Sequence, residues 1–172
     1  MATLQPRTPC RALNSRATFV ISQLGARISQ QFAEHLQPFG LRPAHFGVLV
    51  RIARDEGQSQ QQLADHVGVH RNVMVSLVDD LEERGLVERR RHPEDRRAHA
   101  IHLTEAAVEL LPRAEEVAAQ FEASLFADID PADHALVLDV LRRVSERAGL
   151  VPELHPALID SRRPAPVDPE SC

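Results

Sequence analysis

Residues 59–86 read SQQQLADHVGVHRNVMVSLVDDLEERGL, and this stretch constrains the fold more than any other part of the chain. Ser59 and Gln62 have the spacing of a capping box, which begins a short helix. A Gly-Val pair then makes a tight turn, and a second helix is predicted from about His70 to Arg84. Two short helices joined by a turn that contains glycine form a helix-turn-helix.

Two strand-like segments follow the helix pair. They span Val87–Arg91 and Ala98–Leu103, and the sequence HPEDRR between them has the proline and the acidic residues of a turn. A further helix is predicted to begin near Pro43, because proline suits the first helical turn. The sequence therefore predicts a winged helix-turn-helix over about residues 43–103.

Long amphipathic helices are predicted on both sides of this module, over about residues 15–38, 104–127 and 131–148. The module is too small to cover all of their apolar faces, and a two-fold homodimer is the simplest way to bury them. The predicted fold is mainly α with a small β-hairpin, a winged helix-turn-helix flanked by N- and C-terminal dimerisation helices. Disordered tails are expected at residues 1–14 and 149–172, the second of them rich in proline.

Several classes of protein do not fit this sequence. We find no nucleophile–base pair or Gly-rich phosphate loop, so no catalytic residue, cofactor or enzyme activity is expected. The nine histidines and two cysteines, Cys10 and Cys172, show no metal-ligand spacing, and the cysteines are interpreted as incidental thiols. No apolar run is long enough for a membrane span and the N-terminus has no apolar h-region, so a cytoplasmic location is expected.

Charge is distributed unevenly along the chain. The formal net charge is −5, but the basic stretch at residues 84–97 contains six arginines and three acids, which gives it a local charge of +3. A basic patch on an acidic protein is typical of a nucleic-acid-binding surface, because the patch makes the encounter while the remainder limits indiscriminate binding.

The first two turns of the second helix of the pair are predicted to contact DNA bases. Arg71 can pair with guanine and Asn72 with adenine, Val75 can touch a thymine methyl group, and Ser76 can bond a base or a phosphate. The amino end of the helix also favours phosphate. Acidic residues follow at positions 79, 80 and 83, so that half of the helix is expected to point away from the duplex.

The turn between the strands is predicted to enter the minor groove. Arg96 and Arg97 lie at its tip, and a narrow minor groove attracts arginine. Asp95 can pair with a neighbouring arginine and fix its direction. Together with the helix residues, the predicted DNA contacts are His70, Arg71, Asn72, Val75, Ser76, Arg91, Asp95, Arg96 and Arg97.

The sequence from Gly57 to Thr104 resembles the MarR (multiple antibiotic resistance regulator) family of bacterial transcription factors. The resemblance rests on residues 59–89 and on DRRAHAIHLT, which supplies the family's Asp95, Arg97, Leu103 and Thr104. It implies a homodimer on a pseudo-palindromic double-stranded DNA operator, with helices in major grooves and wings in minor grooves. It also implies a repressor that a small aromatic or anionic effector releases from DNA.

The resemblance implies an effector pocket between the dimer helices and the DNA-binding lobe, to which His35, His45 and Arg51 are candidate contributors. This chain departs from the family pattern at His70, where serine is frequent. It also departs at Val75 and Ser76, where threonine and arginine are frequent. An alternative stays open, a winged-helix protein-interaction module without DNA recognition, because of the net negative charge and the acids at 79 and 80. The salt dependence of DNA binding separates the two hypotheses.

Overall fold

A computed structural model describes residues 12–91 and 98–150 of the chain. It confirms a mainly α fold with one two-stranded antiparallel hairpin. The elements in chain order are α1 (Ala17–Leu36), α2 (Pro43–Arg54), α3 (Gln60–Val67), α4 (Arg71–Glu83), β1 (Val87–Arg91), β2 (His99–Leu103), α5 (Glu105–Leu125) and α6 (Pro131–Arg147).

Local hydrogen bonds set the ends of the helices, as the capping signals predict. The Ser59 hydroxyl accepts from the Gln62 backbone N–H at 3.2 Å, and the Gln62 side chain accepts from the Ser59 N–H at 2.8 Å. The Thr104 hydroxyl accepts from the Ala107 N–H at 3.3 Å and donates to the Gly85 carbonyl at 2.7 Å. Thr104 therefore caps α5 and also ties its start to the end of α4.

The structure differs from the predicted boundaries in small ways. The second strand begins at His99, one residue later than predicted, and a 3-10 turn at Gln37–Phe39 replaces the last predicted residues of the first helix. Another 3-10 turn at Leu13–Ser15 takes in the end of the predicted N-terminal tail and the predicted start of the first helix, which begins at Ala17. The Ser15 hydroxyl donates to the Ala12 carbonyl at 2.7 Å in this turn. Most of both predicted tails lies outside the described residues.

The core lies where α2, α3 and α4 meet the hairpin. Each helix contributes the apolar residues of one face, and β2 contributes its inward residues, so one cluster joins the helix-turn-helix to the wing. The largest fully buried apolar side chains are Leu36, Val48, Leu49, Ile52, Leu63, Met74, Val78, Leu81, Val87 and Ile101.

The hairpin is fixed to the helices as well as paired with itself. Its strands pair from Val87 with Leu103 to Arg91 with His99. The Gly57 N–H donates to the Ile101 carbonyl at 3.0 Å, and the Ile101 N–H donates to the Gln58 carbonyl at 2.9 Å. The segment before α3 thus adds to the edge of β2 and holds the wing beside the helix pair.

The long helices are only partly covered. Aromatic contacts join α1 to the module and to α5, with 5.7 Å between the ring centroids of Phe32 and Phe46 of α2 and 6.0 Å between those of Phe32 and Phe121 of α5. No residue of α6 is buried. Apolar side chains exposed on α1 and α6 include Val20, Ile21, Leu24, Ile28, Leu136, Val137, Leu138, Val140, Leu141 and Val144.

Candidate nucleic-acid interface

The amino end of α4 is formed by a glycine turn and a histidine cap. Gly68 has a φ of 71°, a left-handed conformation that glycine adopts without strain, and it ends α3. The chain then turns into α4, where His70 Nδ1 accepts from the Asn72 backbone N–H at 3.2 Å. The imidazole thus does what a serine does at this position, and the sequence pattern alone did not show how the helix begins.

The reading face, which we define as Arg71, Asn72, Val75 and Ser76, lies at this end of α4. Arg71, Asn72 and Ser76 are exposed and Val75 is half-buried, while Met74, Leu77 and Val78 face the core. The free N–H groups and the partial positive charge of the helix start lie at the same end of α4 as these side chains. The surface predicted to meet a DNA groove is therefore open; contact with bases stays a prediction.

The acidic half of α4 is held by arginines from two directions. Asp80 receives hydrogen bonds from Arg42, at 2.8 Å, and from Arg84, at 3.0 Å. Asp79 and Glu82 both bond the guanidinium of Arg89 on β1, which is largely buried between them. The hydrogen bond from Arg84 holds the pKa of Asp80 below its usual value, so this carboxyl stays charged in a neutral solution.

These ion pairs change how the basic stretch is understood. Arg84 and Arg89 bond acids of α4, and Arg90 bonds Glu88 within β1. Three of the six arginines at residues 84–97 therefore neutralise neighbouring acids. Of the other three, Arg91 is described, and it is exposed at the end of β1. Asp95, Arg96 and Arg97 lie outside the described residues.

A small cavity lies between α2 and α3, with a volume of about 190 Å³. Its walls combine apolar side chains with three polar ones, and the lining residues are Phe46, Gly47, Val50, Arg51, Arg54, His66 and Val67. Arg51 Nη2 lies 3.5 Å from Asp55 Oδ2, and the Arg51 Nε is buried with no hydrogen-bond partner among the described residues. The cavity wall thus includes a charged arginine side chain, a residue type that pairs with anionic ligand groups.

The three candidate effector residues lie in different places. Arg51 lines the cavity. His35 lies on α1, bonded to the Gln31 carbonyl at 2.7 Å, with its ring centroid 4.9 Å from that of Phe121. His45 is fully buried beside Asp80 and is not among the residues of the cavity wall. The structure brings none of the three together with another.

His45 instead belongs to a cluster that the sequence did not reveal. Its Nδ1 accepts from the Arg42 backbone N–H at 3.3 Å, so its Nε2 carries the proton and faces Asp80 Oδ2 at 2.8 Å. The Arg42 guanidinium also lies against the ring, with 2.7 Å between Nη2 and Nε2. Burial, reinforced by the charge of Arg42, lowers the pKa of His45. No local spacing signals this cluster, because Asp80 is 38 residues from Arg42 and 35 from His45.

Two further observations concern what the described residues lack. None of the helices in residues 12–91 and 98–150 has the length and apolar character that crossing a membrane requires. Within the same ranges, no group of three or more histidine, cysteine, aspartate or glutamate side chains is arranged to hold a metal ion.

The chain is similar in sequence to a family of transcriptional regulators. The MarR family profile matches residues 39–98. A Thauera aromatica protein, whose name assigns it to transcriptional regulation of the hcr operon, is 32% identical over 113 residues, which cover 66% of this chain and 68% of that protein.

Solved structures are similar over a larger share of the chain. The transcriptional repressor CouR bound to a 23-mer DNA duplex superposes with a TM-score of 0.71 and 29% identity, covering 77% of this chain and 94% of CouR. CouR from Rhodococcus jostii RHA1 bound to p-coumaroyl-CoA gives a TM-score of 0.68 and 31% identity, covering 79% of this chain and 96% of that one.

Proposed function

This chain belongs to the MarR family of transcriptional regulators, and we propose that it represses transcription by binding a pseudo-palindromic operator as a homodimer. As the family implies, it is a regulator and not an enzyme. The observation that carries the proposal is the capped amino end of α4, which presents the reading face beside a hairpin anchored to the same core. CouR, which has a similar fold, is a repressor that binds duplex DNA. We place the protein in the cytoplasm with its operator.

Operator binding can be tested by fluorescence anisotropy with duplexes tiled across the region upstream of the protein's own gene. We expect one duplex to bind far more tightly than a random duplex of equal length. Affinity should also fall as the salt concentration rises. Each phosphate contact is expected to add about −0.9 to the slope of log affinity against log salt concentration. Failure to retain any duplex in dilute salt would contradict the proposal and favour a winged-helix module that binds another protein.

The homodimer is supported by the apolar surface of the outer helices. A monomer would leave Ile21, Leu24 and Ile28 of α1 and the row Val137, Leu141 and Val144 of α6 in water. Burying such surface contributes roughly 25 cal/mol per Å², and a second copy can cover it by two-fold symmetry. Leu141→Glu is expected to shift the molecular mass measured by light scattering towards that of the monomer, whereas Arg142→Glu is a matched surface control. A wild-type monomer at micromolar concentration would contradict the dimer.

We also propose that a small aromatic or anionic effector releases the protein from DNA. The cavity between α2 and α3 supports this, because its wall combines the apolar side chains of Phe46 and Val50 with the charged side chain of Arg51. CouR binds p-coumaroyl-CoA, which joins an aromatic acyl group to phosphates. Phe46 in turn contacts Phe32 of α1, so a ligand there would press on the contact between the long helices and the DNA-binding module.

The effector can be sought by adding aromatic acids and their coenzyme A thioesters to the DNA complex and recording both anisotropy and the melting temperature. A ligand at 100 times its dissociation constant raises the free energy of unfolding by about 2.7 kcal/mol. Arg51→Met should weaken binding of an anionic effector more than Arg142→Met does. If both variants respond as the wild type does, the cavity is not the effector site.

A further inference from the structure

We propose that Asp80 is a positioning residue, whose carboxylate fixes the rotation of α4 and so the direction of the reading face. This inference rests on the proposed DNA-binding function. Asp80 does not belong to the reading face. Its position is about a third of a turn around the helix from the centre of that face, on the side towards α2.

Three basic side chains from two separate parts of the chain converge on this carboxylate. Oδ2 lies 2.8 Å from Arg42 Nη2 and 2.8 Å from His45 Nε2, and Oδ1 accepts a hydrogen bond from Arg84 Nε at 3.0 Å. Arg84 continues the chain of contacts, because its Nη1 donates to the Gly40 carbonyl at 2.7 Å. The end of α4 is thereby bonded to the segment at the start of α2 in two ways, directly through Oδ2 of Asp80 and indirectly through Arg84.

Apolar packing positions α4 by the fit of its side chains and not by directional bonds. The helix rests on the core through Met74, Leu77, Val78 and Leu81, and burial of apolar surface is not directional. Charge-assisted hydrogen bonds are directional, and here Oδ2 is engaged by Arg42 and His45 at the start of α2. Oδ1 is engaged by Arg84, which directly follows α4 and is itself bonded to the Gly40 carbonyl before α2. His45 is fully buried, so its contact with Asp80 also has little competition from water.

Rotation of α4 matters because base recognition depends on where Asn72 and Arg71 point. A bidentate contact with a base tolerates little misplacement, whereas attraction to phosphates depends mainly on charge. Loss of the Asp80 anchor should therefore damage operator recognition and leave general attraction to DNA intact. Simple electrostatics gives the opposite expectation for the operator, because removing an acid near a polyanion should strengthen all binding.

The test compares Asp80→Asn with the wild type on the operator and on a random duplex, at one salt concentration. We expect operator affinity to fall on the order of tenfold, a size typical of a lost recognition contact, while affinity for random DNA stays equal or rises. Asp139→Asn is the matched control, because Asp139 is exposed and pairs with Arg143 at 3.0 Å on α6; both affinities should stay at wild-type values. Asp80→Glu, which keeps the charge, should recover part of the operator affinity.

If Asp80→Asn raises the affinity for the operator and for random DNA alike, Asp80 only repels DNA. If it lowers both affinities equally and much of the protein is no longer folded, Asp80 only stabilises the fold. Either result would overturn the proposal. Hydrogen exchange of the free protein gives an independent readout: Asp80→Asn should speed exchange in α4 but not in α6, and unchanged exchange in α4 would equally overturn it. If the wild type shows no operator preference, the proposed function fails, and the exchange result then tests only whether Asp80 anchors α4.

Discussion

His70 Nδ1 accepts a hydrogen bond from the backbone N–H of Asn72 at 3.2 Å, so the side chain of the residue before α4 caps its first turn. Replacement of a capping side chain by alanine costs roughly 1 kcal/mol. We expect His70→Ala to lower the free energy of unfolding by about that amount, whereas His70→Ser should keep it near the wild-type value. Urea denaturation of the two variants measures the difference; a His70→Ala variant as stable as the wild type would show that the imidazole does not act as a cap.

Asn72→Ala is expected to relax sequence preference at one position of each half-site. Asparagine can pair bidentately with adenine, and such a pair contributes about 1–3 kcal/mol of discrimination against the wrong base. Affinities for operators substituted one base pair at a time will reveal the position. A uniform loss of affinity across all the operators would assign Asn72 to a phosphate instead.

Arg97→Ala is expected to weaken operator binding by about 1–3 kcal/mol while leaving the dimer intact. The residue lies outside the described part of the structure, so this prediction depends on its place in the sequence between two paired strands. Anisotropy titration measures the affinity and light scattering the assembly. Arg90→Ala is the control, because Arg90 already bonds Glu88 and should contribute less. Unchanged affinity of Arg97→Ala would remove this residue from the mechanism.

The parts of the fold that sequence could predict are those set by short-range signals. The capping box of Ser59 with Gln62 spans three residues, so it is visible in the sequence, and the structure confirms it. The hairpin is confirmed for the same reason, since its two strands are separated by a short turn of recognisable composition.

The arrangement of charge could not be predicted, because it depends on contacts between distant residues. Arg89 was counted among residues able to attract DNA, and the structure shows it bonded to Asp79 and Glu82 of α4. His45 was a candidate effector residue, but Asp80, which it contacts, is 35 positions further along the chain. Counting charged residues along the sequence shows neither of these ion pairs. Both form because α2 and the wing pack against α4.

Acid should destabilise the protein through the same cluster. Arg42, Arg84 and Asp80 are the charged groups that face His45, and burial, followed by the charge of Arg42, lowers its pKa below 6.5 in the folded state. The unfolded chain therefore binds a proton more readily than the folded protein, so the contribution of His45 to stability is complete above pH 6.5 and is lost as the pH falls through the folded pKa. The lowered pKa of Asp80 adds a second loss below pH 3.8.

His45→Gln should separate these two losses. Glutamine keeps a donor for Asp80 and cannot titrate, so the variant should lose less stability than the wild type between about pH 7.5 and about pH 5, measured as the urea midpoint at each pH. His99→Gln is the control, because His99 is an exposed residue of β2, and it should follow the wild-type curve. If His45→Gln follows that curve as well, the buried imidazole is not what makes the fold sensitive to acid, and protonation elsewhere must account for the loss.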